Sequence, residues 1–344
     1  MKKLLLHLST VAPAKVGFIA TTVFLALMGL FQASAIAQDP VFSQFYAMPL
    51  QLNPAFAGSA NAPRVGLAYR NQWTGFNSAY RTYAACYEQR FDRLNSGIGF
   101  NLEGDNAGDG IFITNRFSGA YAYRLKVNEL ISLKLGVELG IHQVNLNWDK
   151  LLFPDQIDDV NGFVYNTAEI RPDITNRTEL DISSGLLISS NKFYFGIGLK
   201  HLNTPSQSIL RLKNNLVPGL PIRYTFHGGT EWIIKKGNKT QERSFVSPNF
   251  LFVAQGPYKQ LNVGAYASLG QVFAGTWLRH TFQNADAAIL LAGFRAGSLK
   301  IGISYDATIS KLSNNAGGTF EITLGYDFQN KKRLDINDCT GMFQ

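Results

Sequence analysis

The chain has 344 residues, a formal net charge of +8 and only 16% charged residues, together with 32 glycines, 25 phenylalanines and 14 tyrosines. Soluble domains average about 25% charged residues. This composition therefore disfavours an ordinary soluble protein and is typical of strands that face lipid on one side and a lumen on the other. The basic excess is scattered along the chain, which disfavours nucleic acid as a partner.

Residues 1–37 have the pattern of a signal peptide. Three lysines precede an apolar run over residues 16–31, and the small-x-small sequence Ala35-Ile36-Ala37 follows. We predict cleavage there, with Gln38 as the first residue of the mature chain. The alternative, a single membrane anchor, is disfavoured because the run ends in a cleavage pattern and has no basic stop-transfer flank.

Residues 38–63 form a segment with aromatic anchors and chain breakers but no sustained period. Such a segment should not remain free in water, and we expect it to pack either as a plug or against the periplasmic rim. Its breakers and aromatic residues are Pro40, Phe42, Phe45, Tyr46, Pro49, Pro54, Phe56, Gly58 and Pro63.

Strict alternation within residues 64–328 predicts the fold. From Ile131 to His142 every odd-numbered residue is apolar and every even-numbered residue is polar or glycine. Period two indicates a strand with one apolar and one polar face, and its length suits the roughly 9–11 residues that a tilted strand needs to cross a bilayer. A soluble β-sandwich also alternates, but its outer face is polar and its strands are usually shorter.

We therefore predict an all-β fold, a closed transmembrane antiparallel β-barrel of about 14 strands, an even number as in single-chain bacterial barrels. The predicted strands lie near 64–72, 79–91, 96–104, 111–125, 130–148, 178–189, 192–203, 222–235, 245–255, 259–269, 271–282, 286–296, 298–308 and 318–328.

The connections between these strands predict the orientation. If the N-terminus is periplasmic, the two longest links, 149–177 and 204–221, are external and short turns such as Lys126–Glu129 are periplasmic, as in outer-membrane barrels. The charged 236–244 turn is long for the periplasmic side and does not fit. Aromatic residues at the periplasmic strand ends predict an interfacial girdle. They are Tyr87, Phe91, Tyr121, Tyr123, Phe193, Phe195, Tyr326 and Phe328.

We find no catalytic or metal-binding set and predict no cofactor and no enzyme activity. The histidines beyond residue 37 are dispersed along the chain, which does not support a metal site. The stretch 105–110 resembles a calcium loop only faintly, because Ala107 occupies a ligand position and Arg116 stands where the closing glutamate belongs. The four histidines are His142, His201, His227 and His280.

Charged residues of both signs are predicted to face the lumen. Buried charges need partners, so they either pair across a filled lumen or contact water, and the mixed signs disfavour a strongly ion-selective pore. Cys86 and Cys339 could pair only if the tail folds back to the barrel, and two unpaired thiols are the preferred interpretation. The predicted inward charges are Glu88, Arg90, Arg124, Lys134, Glu138, Arg223, Glu231 and Glu321.

Three stretches, 38–46, 49–58 and 69–73, together resemble the start of the PorP/SprF family of type IX secretion system outer-membrane proteins. Further matching positions lie at 122–124, 144–148, 150 and 302–306, and the closing 325–328 looks like a barrel-assembly signal. Phe56 departs from the family, which usually has Tyr there, and the tail after residue 328 has no match. The family-motif residues, expected to serve structure or partner binding, are Asp39, Pro40, Gln44, Phe45, Tyr46, Asn53, Pro54, Ala57, Gly58, Arg70, Gln72 and Trp73.

The resemblance implies a non-enzymatic barrel in the outer membrane of a Bacteroidota cell. It implies work with type IX translocon components and with a secreted surface protein, often an adhesin linked to gliding motility. The alternative function, motivated by the glycine-rich lumen faces, is a passive porin or small-solute transporter. The predicted organisation is a signal peptide at 1–37, a plug or periplasmic segment at 38–63, the barrel at 64–328 and a periplasmic tail at 329–344.

Overall fold

The structure is a computed structural model that describes residues 38–76, 80–158, 160–207, 219–235, 243–310 and 317–328. The predicted signal peptide, the predicted tail and Cys339 lie outside these residues, as do parts of the 204–221 and 236–244 links. Within the described chain, no helix is long and apolar enough to cross a membrane.

Fourteen antiparallel strands form one closed barrel, which confirms the predicted fold class. The eighth strand is interrupted at Glu231, so β8 consists of two pieces. The strands are β1 Arg64–Gln72, β2 Tyr80–Phe91, β3 Ser96–Ala107, β4 Phe112–Lys126, β5 Ile131–Leu146, β6 Asn176–Ser190, β7 Phe193–Lys200, β8 Arg223–Thr230 with Trp232–Lys235, β9 Ser244–Gln255, β10 Tyr258–Leu269, β11 Val272–His280, β12 Ala285–Ala296, β13 Leu299–Thr308 and β14 Thr319–Asp327.

Pairing of the first strand with the last closes the sheet. The register of β1 against β14 runs from Arg64 opposite Asp327 to Gln72 opposite Thr319 without interruption. Every other strand pairs with its neighbours in sequence. Because the sheet has no free edge, the backbone polar groups of the strands are satisfied within the barrel, which is the condition for crossing hydrocarbon.

Side chains alternate between an exposed apolar outer face and a buried inner face. On β5, Val137 and Leu139 are 60% and 59% exposed, whereas the intervening Glu138 is 5% exposed. An apolar surface that is exposed in the isolated chain is the surface that lipid covers in a membrane-spanning barrel. His142, His201 and His227 are also buried.

The two ends of the barrel differ in their connections. At one end, here the short-turn end, β6 joins β7 and β12 joins β13 through two residues each. At the other, the long-loop end, residues 147–175 form the longest link, which contains 3-10 turns at Trp148–Lys150 and Pro154–Gln156 and a small hairpin of Ile157–Asp158 with Gly162–Phe163. Long loops on one side and short turns on the other are the pattern of outer-membrane barrels.

Exposed aromatic side chains lie near both ends of the barrel, whereas the sequence analysis predicted a girdle at one end only. Tyr121, Tyr123, Phe193 and Tyr326 are exposed towards the short-turn end, as predicted. A second set lies towards the long-loop end. Two belts of aromatic rings match two membrane–water interfaces. The second set includes Tyr83, Tyr224, Tyr305 and Phe320.

Candidate functional site

The lumen is filled by the chain's own N-terminal segment. Residues 39–62, here called the plug, lie inside the barrel, with a short helix α1 at Pro49–Leu52 and a 3-10 turn at Pro54–Phe56. The rings of Phe45 and Phe56 are 3% and 0% exposed. Of the two placements that the sequence left open, lumen or periplasmic rim, the structure has the first.

The plug runs along the barrel axis. Asp39 contacts Arg223 and Gln255, which lie at the ends of their strands nearest the long loops. At the other end, the backbone N–H of Phe328 donates to the carbonyl of Pro63, where β1 begins. The first residues of the plug and the first residue of β1 therefore lie at opposite ends of the barrel.

Aromatic rings fix the middle of the plug to one side of the wall. Tyr46 stacks on Trp277 with ring centroids 6.1 Å apart, and its centroid is 5.1 Å from that of Tyr266. Phe45 meets Trp277 edge to face at 6.0 Å. Burial of an aromatic or large aliphatic side chain stabilises by about 1.5–3 kcal/mol, so Phe45 and Tyr46 each contribute to plug docking on this order.

Glycines on the inner face let the plug backbone approach the wall. A Cβ on Gly136 would lie 2.5 Å from the carbonyl carbon of Pro54 and 2.6 Å from Cα of Ala55, closer than real Cβ contacts. Gly97 stands in the same relation to Gly58, whose φ of +64° itself favours glycine. The glycine-rich inner face thus belongs to a crowded lumen rather than a water-lined one.

Asn53 ties the plug to two strands by side-chain hydrogen bonds. Its Nδ2 donates to the backbone carbonyls of Leu186 on β6 and Ile197 on β7, at 3.0 and 3.1 Å. Its Oδ1 accepts the N–H of Ala55 at 2.9 Å and so caps the 3-10 turn. The Asn53 side chain therefore caps the 3-10 turn and hydrogen-bonds to the barrel wall at the same time.

The first of three ionic clusters, the Asp39 cluster, lies near the long-loop end. The Asp39 carboxylate pairs with Arg116 on β4 and lies 2.6 Å from Nε2 of His201, and Arg223 is 3.7 Å away. The backbone N–H of Asp39 donates to Oε1 of Gln255 at 3.0 Å. Side chains from four separate parts of the wall therefore hold one plug residue.

The Asp39 cluster changes the pKa of the two groups in it that lie outside the strands. Burial opposes ionisation of Asp39, but the neighbouring Arg116 and His201 outweigh it and hold the pKa of this carboxyl well below its usual range. Burial also opposes the charged form of His201, yet Asp39 and Asp181 raise its pKa above the ordinary value. Both shifts favour the ionised pair that joins plug to wall.

The second cluster, the Glu321 cluster, holds the next turn of the plug. The carboxylate of Glu321 on β14 accepts the backbone N–H groups of Ser43 at 2.8 Å and Gln44 at 2.9 Å, and it also pairs with Arg70 on β1. Beside it, Asp306 accepts from the Ser43 hydroxyl at 2.6 Å and from Arg279 at 2.8 Å. Ser43 and Gln44 of the plug are thus held by a cluster of charged side chains from four strands, β1, β11, β13 and β14.

The third cluster, the Glu88 cluster, lies at the short-turn end. Glu88 on β2 pairs with Arg64 and accepts the backbone N–H of Ser59 at 2.9 Å. Lys134 on β5 donates to the Ser59 hydroxyl at 2.9 Å. Of the inward charges predicted from alternation, four contact the plug directly: Glu88, Lys134, Arg223 and Glu321.

Most of the family-motif residues meet at the plug–wall interface. Asp39, Gln44, Phe45, Tyr46, Asn53, Pro54, Ala57 and Gly58 lie in the plug and are buried, and Pro40 is half-buried there. Arg70 belongs to the Glu321 cluster, and its Nη2 donates to Gln72 at 3.1 Å. Trp73 lies apart, at the end of β1 with a φ of 59° and its ring 5.4 Å from that of Tyr80.

Several residues of the clusters were not singled out from the sequence. Arg279 and Asp306 lie on inward positions of β11 and β13, and the alternation of those strands could have identified both. Arg116 was considered only as a misfit in a calcium loop. In the described part of the chain no group of three or more His, Cys, Asp or Glu side chains could hold a metal ion, and Cys86 is buried with its Sγ 3.8 Å from Sδ of Met48.

The chain forms a closed barrel of fourteen strands with an apolar outer face, and its own N-terminal segment fills the lumen. This architecture is that of an outer-membrane β-barrel protein. The model of the type IX secretion system membrane protein PorP/SprF family matches residues 34–326. The chain belongs to this family.

Solved structures resemble the chain in fold alone. The Ralstonia pickettii toluene transporter TbuX is 9% identical, with 82% of this chain and 94% of that one covered and a TM-score of 0.46. The NanC porin is 10% identical, with 78% and 100% covered and a TM-score of 0.38. A mutant of Rh. blastica porin is 8% identical, with 78% and 99% covered and a TM-score of 0.34. No curated protein matched the chain.

Proposed function

We propose that this barrel is a non-enzymatic docking component of the type IX secretion system that assists export or surface anchoring of a cognate secreted protein. The observation that carries the proposal is the filled lumen. Three ionic clusters and a set of aromatic contacts hold the plug from one end of the barrel to the other. Because the interior of the barrel is occupied, the outer wall and the two ends are the surfaces that partners can contact.

The plug also bears on the second candidate function, a passive porin. Solute passage requires a continuous water-filled lumen, and opening one here means separating Asp39 and Glu321 from their buried partners. Planar-bilayer conductance discriminates the two functions, because a steady open channel supports a porin and a closed barrel supports docking.

We further propose that the long-loop end faces the cell exterior and that residues 1–37 are removed. In this orientation β14 ends on the periplasmic side, as expected for the tail. The sequence predicts a periplasmic N-terminus; in the proposed orientation the start of β1 would lie on the periplasmic side, whereas Asp39, at the long-loop end, would lie on the outer side. The mature N-terminus would then emerge at the cell surface.

The function is tested by deleting the gene and measuring the surface display of secreted proteins on intact cells by surface labelling and mass spectrometry. We expect at least one exported protein to disappear from the surface and to return when the full chain is restored. Unchanged display of all exported proteins in the deletion strain would rule the proposal out. Bacteroidota origin and a link to gliding remain predictions from the family resemblance.

The orientation is tested with epitope tags at three positions. We expect tags after Val160, which is 89% exposed in the longest link, and directly before Gln38 to bind antibody on intact cells. A tag at Asn128 in a short turn should bind only after the outer membrane is permeabilised. A Gln38 tag that is hidden on intact cells while the Val160 tag is accessible would contradict the path of the plug.

A further inference from the structure

The longest link at the long-loop end exposes apolar side chains on its small hairpin. Ile157 pairs with Phe163 across the hairpin, so both side chains lie on the same face, and they are 48% and 58% exposed. Val160, at the tip, is 89% exposed. Single exposed apolar residues are common on protein surfaces, but several on one small element indicate an interaction site. We call Ile157, Val160 and Phe163 the hairpin patch.

Hydrogen bonds within the link hold the hairpin in shape. The carboxylate of Asp158 accepts the backbone N–H groups of Val160 at 3.0 Å and Asn161 at 2.8 Å, which closes the turn. Beyond the second strand, the N–H of Val164 donates to the carbonyl of Gln156 at 3.0 Å. The hairpin patch is therefore displayed by a defined fold rather than by an irregular chain.

A second segment of the same link lies beside the base of the hairpin. The carboxylate of Asp155, just before the hairpin, accepts the backbone N–H of Ala168 at 2.6 Å. The next two residues, Glu169 and Ile170, are exposed, and the exposed fraction of Ile170 is 88%. The link therefore places an exposed carboxylate and a further exposed apolar side chain near the hairpin patch.

Acidic side chains dominate the charge of this link. Its cations are Lys150 and Arg171, and both are engaged. Lys150 donates to the carbonyl of Asp109 at 2.6 Å, and Arg171 lies 3.4 Å from the Asp149 carboxylate. The electrostatic field around the hairpin patch is therefore negative. The carboxylates of the link are Asp149, Asp155, Asp158, Asp159, Glu169 and Asp173.

The position and the charge of the hairpin patch select among apolar partners. Because β5 ends at Leu146 and β6 begins at Asn176, the link lies outside the membrane-spanning strands. Lipids of the outer leaflet carry phosphate groups, and like charges across an interface oppose association, which disfavours a lipid surface. A protein surface that combines apolar side chains with lysine or arginine complements both the patch and its acidic surroundings.

We propose that the hairpin patch docks a basic, apolar surface of the secreted protein at the cell exterior. This inference rests on the proposed function and deepens it, because it names the place where the cognate secreted protein binds. Apolar side chains of that protein cover Val160, Phe163 and Ile170. Its lysine and arginine side chains pair with Glu169 and Asp173, which are both exposed.

The first test restores the deletion strain with variants of the full chain and measures surface display of the protein that the deletion strain has lost. We expect Val160→Ser/Phe163→Ser/Ile170→Ser to reduce display about tenfold or more, because these side chains no longer bury apolar surface against the partner. Val160→Ile/Phe163→Leu/Ile170→Val is the matched control, which keeps the surface apolar and should display normally. Equal display by both triple variants, at equal amounts of barrel in the outer membrane, would overturn the inference.

The charge of the partner is tested at Glu169. Glu169→Lys should reduce display about twofold to fivefold, since exposed ion pairs contribute modestly. Glu129→Lys is the matched control, because Glu129 is an exposed carboxylate in a short turn at the opposite end of the barrel. Equal display by the two single variants would contradict a basic partner.

A photo-cross-linker identifies what contacts the hairpin patch. Phe163→p-benzoylphenylalanine keeps an aromatic ring there, and irradiation of intact cells should join it to the same exported protein, at a peptide that contains lysine or arginine. The same group at Leu130, which is exposed in a short turn, should not capture this protein. Cross-links only to lipid, or only to residues 208–218 of the same chain, which lie outside the described residues, would show that the patch has another occupant and that the inference is wrong.

Display also separates failure of this inference from failure of the proposed function. If deletion of the gene abolishes display but the serine variant restores it fully, the docking site is wrong and the proposed function stands. If display survives the deletion, the proposed function is wrong and the docking site falls with it.

Discussion

Replacing Gly136 with valine is expected to loosen the plug and to convert a closed barrel into one that conducts ions. The Cβ of any side chain there meets backbone atoms of Pro54 and Ala55, which cannot rotate away as a side-chain tip could. Overpacking of this kind costs about 1–3 kcal/mol. The combination with Gly185→Val, which faces Asn53, should weaken the plug further.

Planar-bilayer conductance and protease sensitivity measure the effect. The natural chain should be closed and its plug resistant, whereas the Gly136→Val and Gly136→Val/Gly185→Val chains should show increasing open events and cleavage between Asp39 and Pro63. Gly119→Val on the outer face of β4 is the control, because the nearest atom to its Cβ is Cε1 of Phe100 at 3.7 Å. Closed, protected behaviour of the double variant would show that the plug does not depend on these glycines.

The barrel could be predicted from the sequence because each strand and each short turn is specified by residues that are neighbours along the chain. Alternation along β5 and the turn between β6 and β7 each involve neighbouring residues, and a period-two pattern determines which face a residue occupies. The same pattern identified Glu88 and Glu321 as inward charges. The girdle prediction found only the short-turn belt, because it considered aromatic residues at one end of the strands.

The path of the plug could not be predicted because its contacts join distant parts of the chain. Glu321 binds the backbone N–H of Ser43 across 278 positions of sequence, and Asp39 meets Gln255 across 216. Polar contacts of this range leave no periodic pattern. One signal was present, since the inner face of β5 carries glycine at Gly136, where a polar pore wall has no need of one. A glycine there indicates close backbone approach.

The aromatic and ionic contacts of the plug differ in what they specify. The rings of Phe45 and Tyr46 supply non-directional burial, which tolerates small shifts along the lumen. The carboxylate of Glu321 accepts two successive backbone N–H groups, which a shift by one residue would break. We infer that apolar contacts retain the plug and that the Glu321 cluster sets its register.

Removing the Glu321 carboxylate is therefore expected to be the most damaging single polar change in the barrel. In Glu321→Ala the Arg70 guanidinium loses its nearest buried partner, and two plug N–H groups lose their acceptor. Breaking a buried ion pair by removing one partner costs about 3–5 kcal/mol. Arg70→Ala leaves the opposite charge buried and should cost a comparable amount, with Asp306 still paired to Arg279 at 2.8 Å.

The measurement is the free energy of unfolding in urea in lipid vesicles, together with hydrogen exchange of the Ser43 and Gln44 amides. Because Glu321 and Arg70 form one ion pair, the double variant Glu321→Ala/Arg70→Ala should lose much less free energy of unfolding than the two single variants lose together. Asp149→Ala is the control, since its partner Arg171 is 3.4 Å away and both side chains are more than half exposed; such pairs contribute about 0–1 kcal/mol. Additive losses, or a Glu321→Ala chain as stable as the Asp149→Ala control, would mean that the plug is held by its apolar contacts alone.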